Sequence, residues 1–178
     1  MNVHLKRFAE LQRSIAEVRD SISPAELFDA LMDWANPIKT SKNQLEAKLY
    51  ADYILVFESW ISGGVRSEAT WYDLRTLIEF DFVRAEGASL ERAVVVVRDV
   101  LWELLVSMSD KMCPDHDDSY LRVFMDGLKQ HVYYCCDVCS FAQDIDGSRV
   151  DSVGVIIPVE KGFIIDRGIV LFDLSKFT

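Results

Sequence analysis

The chain has 178 residues, half of them hydrophobic and 11% aromatic, with four prolines and eight glycines. That is enough apolar material for one ordinary domain with a substantial core, and it excludes a disordered or fibrous chain. A formal net charge of −10, from 29 acidic and 19 basic residues, repels phosphate backbones and anionic lipid headgroups, so neither nucleic acid nor a membrane surface is an expected partner.

Charge also breaks every apolar run short of a bilayer span; Val94–Val97 is bounded by Arg92 and Arg98. The opening M-N-V-H-L-K-R-F-A-E-L lacks the apolar stretch and cleavage site of a secretory signal. Three of the four cysteines (Cys135, Cys136, Cys139) crowd together away from Cys113, which is not disulfide-framework spacing. Free thiols in a reducing cytoplasm are expected.

In chain order, Val3, Phe8, Leu11, Ile15 and Val18 predict an amphipathic helix over 2–21. Ser23-Pro24-Ala25-Glu26 is a capping box opening a short helix that carries Leu27, Leu31 and Trp34 and stops at Asn36-Pro37. Ser41-Lys42-Asn43-Gln44 opens a long helix to about Ser62, ended by Gly63-Gly64. Thr70-Trp71-Tyr72-Asp73 begins a fourth, closed by Gly87, in which Asp81 and Arg84 fit an ion pair.

Ser89 starts the clearest element. Leu90, Ala93, Val94, Val97, Leu101, Leu104, Leu105 and Met108 follow three-four spacing over five turns. Val95, Trp102 and Val106 lie on other faces, and these three are the expected interface residues. Cys113-Pro114-Asp115-His116-Asp117-Asp118 is a polar loop before a last long helix, Ser119 to Gln143, with Leu121, Phe124, Leu128, Val132 and Cys135 inward. The tail turns β-rich, and Glu160-Lys161-Gly162 divides 151–174 into a two-stranded ribbon. The expected fold is therefore mainly α: an irregular bundle of about six helices over 1–145, with a C-terminal β-hairpin appendage over 146–178.

Few residues converge for chemistry. On a continuous last helix, His131, Cys135 and Cys139 share one face, with Cys136 three residues before Cys139. Imidazole and thiolate suit zinc, so His131, Cys135 and Cys139 form a candidate metal set. Cys113 or His116 would have to reach back over roughly four to five helical turns to join it. Small core thiols are the plainer reading, and no cofactor is the expected state, with zinc and heme on His131 as alternatives. The acids Asp115, Asp117 and Asp118 suit the start of the following helix, and a divalent cation there is the less favoured reading. No G-x-G-x-x-G, P-loop, G-x-S-x-G or H-E-x-x-H occurs, so an enzyme, such as one with an interhelical pocket, is the lesser expectation.

Arg84, Gly87, Leu90, Arg98 and the segment Leu101-Trp102-Glu103-Leu104-Leu105 resemble the N-terminal sensor domain of RsbR-type stressosome proteins. The resemblance implies a globin-like, usually heme-free helical domain that dimerises and relays a signal to a protein partner. One departure stands out: such sensors precede a STAS domain, and only roughly thirty residues follow the last expected helix. The expected role is a non-enzymatic sensory or regulatory domain acting as a homodimer. A metal- or redox-responsive protein using His131, Cys135, Cys136 and Cys139 is the alternative.

Overall fold

The computed structural model describes residues 2–62, 74–85, 88–128, 131–159 and 161–172. It contains α1 (Val3–Val18), α2 (Pro24–Lys39), α3 (Gln44–Tyr53), α4 (Leu55–Ser62) and α5 (Leu74–Thr76), which runs into a π-helical stretch at Leu77–Val83. Then come α6 (Leu90–Leu105), β1 (Met108–Met112), β2 (Tyr120–Asp126), β3 (Val132–Cys135), β4 (Ala142–Asp144), β5 (Ile156–Pro158) and α7 (Lys161–Asp166). The described residues divide into two compact units, one helical and ending at Leu104, the other beginning at Leu105.

Local chemistry explains the helical unit. Asn2 caps α1 by accepting from the His4 amide. Ser23 and Glu26 form the reciprocal box at the start of α2, with Pro24 at its first position. Pro37 does not stop α2, which continues to Lys39. The carbonyl that proline's missing N–H would have met, on Asp33, accepts from the Arg7 guanidinium at 3.5 Å instead. The expected single helix over 41–62 is two, broken at Ile54 and capped by Asn43 rather than Ser41. Gln12 donates to the carbonyls of Phe82 (2.7 Å) and Ala85 (2.9 Å), satisfying the end of the π-helical stretch. Arg84 pairs with Glu79, not Asp81. The expected signals at Gly63-Gly64, Thr70–Asp73, Gly87 and Glu160 lie outside the described residues.

Phe8, Leu27, Leu31, Ile38, Phe57, Phe82, Val94, Val97 and Leu101 are all almost wholly buried. Phe8 meets Trp34 and Phe82 with ring centroids 5.3 and 5.6 Å apart.

The second unit overturns the mainly-α expectation. Among the described residues, the expected 119–143 helix and 151–174 hairpin are replaced by a five-stranded antiparallel sheet with one short helix. Strands run β1-β2-β3-β4 in order, and β5 also pairs with β2. Registers are Arg122 opposite Cys135, Tyr134 opposite Gln143 and Met125 opposite Ile157. The six-helix bundle, globin-like or irregular, with a hairpin appendage is therefore replaced by a helical unit followed by an antiparallel β unit. α6 also stops at Leu105, so Met108 opens β1 rather than a fifth helical turn.

The physical reason is alternation. Leu121, Val123 and Met125 on β2, and Val132, Tyr134 and then Cys136 along β3, point to one side and bury there with Cys113, Phe141, Val159, Ile164 and Ile169. At the end of this strand pair the Asp126 amide donates to the His131 carbonyl at 3.0 Å. β-branched and aromatic residues, Val132-Tyr133-Tyr134, favour strand over helix here.

Candidate metal centre

Two turns of the β unit bring three thiols together. Cys113 directly follows β1, and its amide donates to the Ser119 carbonyl at 2.7 Å as the chain returns into β2. Cys136 directly follows β3, and its amide donates to the Phe141 carbonyl at 3.0 Å as the chain returns into β4. Cys139 lies within that second turn. The sulfurs of Cys113, Cys136 and Cys139 all lie within 4.8 Å of one another, and the Cys113 and Cys139 sulfurs are 3.6 Å apart. A tetrahedral ion with bonds of about 2.3 Å holds its sulfurs about 3.8 Å apart, so the spacing suits a thiolate-bound metal. Among the described residues this is the one such group, and it could bind a metal. All four cysteines are free thiols.

The surroundings fix these thiols differently. Burial, helped by the Cys136 and Cys139 thiols beside it and opposed by the Asp115 backbone, pushes the Cys113 thiol up to about 11. Burial also opposes ionisation of Cys136, but the amides of Cys139 and Val138 and the neighbouring thiols outweigh it and hold Cys136 below the ordinary thiol value. The Val138 amide donates to the Cys136 sulfur at 3.4 Å. A side-chain tie holds the second turn as well: Arg122 Nε donates to Asp137 Oδ2 at 2.6 Å, and the Arg122 side chain is 8% exposed.

The residues singled out from sequence separate. Cys139 belongs to the group, and so do Cys136 and Cys113. Cys135 does not: strand alternation turns it to the opposite face from Cys136, where burial, with the charge of Asp137 next, pushes its thiol up to about 11. His131 is exposed just before β3 and lines an open polar cleft with Tyr133, Asp144, Asp146 and Arg167. The shared face of His131, Cys135 and Cys139 required a helix, and the segment is strand and turn. Cys113 needed no long reach, because antiparallel pairing lays the β1–β2 turn beside the β3–β4 turn. The acidic loop precedes a strand, not a helix; Asp115 pairs with Arg149 at 3.0 Å and Asp118 takes a left-handed φ of 64°.

Of the interface residues, Val106 is fully buried within the chain, whereas Val95 and Trp102 are half-buried on α6. Trp102 packs on Trp60 with ring centroids 5.6 Å apart. No helix among the described residues is long and apolar enough to cross a membrane.

The sequence matches no protein-family model and no curated protein, and no solved structure matches the fold. The thiol geometry therefore stands on its own.

Proposed function

We propose that this protein is a non-enzymatic regulatory module whose β unit is fastened by a zinc ion on Cys113, Cys136 and Cys139. The observation that carries the reading is the convergence of three free sulfurs, from two separate turns, at the spacing a tetrahedral thiolate site requires. An ion there joins the β1–β2 turn to the β3–β4 turn, so metal binding and folding of the unit are one equilibrium. Loss or gain of the ion then changes the state of the unit, which is what a metal-responsive regulator needs.

The signalling side rests on α6. Val95 and Trp102 leave part of their apolar surface uncovered and provide a patch for a second copy of the chain or a protein partner. The likeness of residues 84–105 to stressosome sensors supports the same role, and free thiols fit a reducing, cytoplasmic setting.

Elemental analysis of protein purified without added metal tests the metal reading. About one zinc per chain is expected, falling to none in Cys113→Ser. A metal-free wild type that also fails to take up zinc would sink it. Sedimentation of Trp102→Asp tests the assembly: the folded variant should shift from dimer to monomer, and an unchanged dimer removes this patch as the interface.

A further inference from the structure

The two turns that supply the thiols are built alike, and the likeness extends to a fourth residue. In each, a cysteine follows a strand and its amide bonds to a carbonyl on the far side of the turn. In the second turn the Cys136 sulfur accepts from the amide two residues on, that of Val138. In the second turn the residue three beyond the cysteine, Cys139, turns its sulfur into the group. Three beyond the cysteine in the first turn is His116, whose side chain is a metal-ligating imidazole.

We infer that His116 is the fourth ligand of the site, which makes it a Cys-x-x-His turn facing a Cys-x-x-Cys turn. This rests on the metal reading above. His116 stands outside the 4.8 Å group of sulfurs and half-buried beside it in sequence. Its Nδ1 meets Ser119 Oγ at 2.9 Å, and Ser119 is also the residue whose carbonyl closes the turn on Cys113. A serine hydroxyl serves either tautomer; in the one whose Nδ1–H donates to Ser119, Nε2 carries the lone pair, and that is the form a ligating histidine takes. Coordination by three sulfurs and one nitrogen closes the shell. A closed shell holds structure together, whereas an open fourth position would admit water or substrate. The ion therefore acts as a fastener, in keeping with a regulatory rather than a catalytic role. Asp115 is the competing ligand in the same turn, but its carboxylate is engaged by Arg149 at 3.0 Å.

Cobalt(II) titration of the metal-stripped full chain tests this, since cobalt reports both affinity and the number of thiolates by its absorption. Wild type should bind one cobalt with a tetrahedral, three-thiolate spectrum. His116→Ala should weaken binding on the order of 100-fold and change the ligand-field bands. His116→Cys should restore tight binding and add thiolate charge-transfer intensity, which a merely structural histidine would not produce. Asp115→Asn should leave the spectrum alone. An unchanged spectrum and affinity in His116→Ala, or a loss in Asp115→Asn instead, overturns His116 as ligand while the three-thiolate site survives. A wild type that binds no cobalt overturns the metal reading itself.

Discussion

The helical and β units differ in how their order is stored. In the helical unit α2, α3 and α6 carry their own start signals: Ser23 with Glu26, Asn43, and Ser89, whose hydroxyl accepts from the Arg92 amide. In the β unit the strands are three to seven residues long, and order comes from pairing with segments distant in sequence. A unit of that kind and size has little core to spare, and three converging thiols are the sort of staple that compensates. The two units should therefore answer differently to the same perturbations.

The largest contrast is metal removal. Stripping the ion, or Cys136→Ser, should unfold the β unit, because binding energy on the order of 10 kcal/mol is coupled to folding at structural zinc sites. Amide hydrogen exchange would show it: protection at Leu121, Val123 and Met125 should collapse while that at Leu31 and Leu101 persists. Cys135→Ser, on the other face of β3, should leave metal content unchanged. Equal protection in the β unit with and without metal would break the comparison.

A core truncation should give the reverse pattern. Leu31 is fully buried, so Leu31→Ala should cost about 2–5 kcal/mol in denaturant unfolding of the helical unit. Cobalt affinity in that variant should stay at the wild-type value.

A smaller effect sharpens the link between the sheet and the metal turn. Arg122 is buried on β2 and its guanidinium holds Asp137, between the two cysteines of the second turn. Arg122→Gln should cost about 2 kcal/mol, less than a fully buried pair because Asp137 is a third exposed. It should also weaken metal binding roughly tenfold by loosening the turn. Full metal affinity in Arg122→Gln would make the ion pair irrelevant to the site.

How far the sequence was legible follows the same division. Helical spacing at Phe8, Ile15, Leu31, Val94 and Leu101, together with the Ser23 box, located three of the helical elements, α1, α2 and α6, because those signals are local. Residues 119–143 misled for an identifiable reason: Leu121, Phe124, Leu128, Val132 and Cys135 satisfy a three-four spacing, while Leu121, Val123, Met125 and then Val132, Tyr134 and Cys136 satisfy alternation in the same stretch. The composition breaks the tie: Val132, Tyr133 and Tyr134 are β-branched and aromatic and suit a strand. Reading a helix there put His131 and Cys135 with Cys139 and set Cys113 far off. Reading strands puts Cys136 inward, excludes Cys135, and brings Cys113 alongside. The matching three-residue steps Cys113–His116 and Cys136–Cys139 were visible throughout, but they acquire meaning only when antiparallel pairing brings the two turns together.

The smallest contrast is electrostatic and belongs to the helical unit. Lys39 Nζ donates to both oxygens of Glu58, at 2.9 and 2.8 Å, and the Tyr50 hydroxyl donates at 2.7 Å. The Lys39 hydrogen bonds, then that of Tyr50, hold the Glu58 carboxyl below its ordinary value of 4.5, with partial burial opposing and the Lys39 charge adding to the effect. A carboxylate whose value is lowered by folding stabilises the protein above its unfolded-state value, and that stability is lost as pH falls through the folded-state value. Glu58→Gln should therefore cost about 1 kcal/mol at neutral pH, modest because Lys39 is half-exposed. The difference from wild type should shrink as pH drops below 4.5 and vanish once the wild-type carboxyl is protonated. Thermal unfolding from neutral to acid pH measures it. A gap between variant and wild type that stays constant across that range would mean Glu58 contributes shape rather than charge.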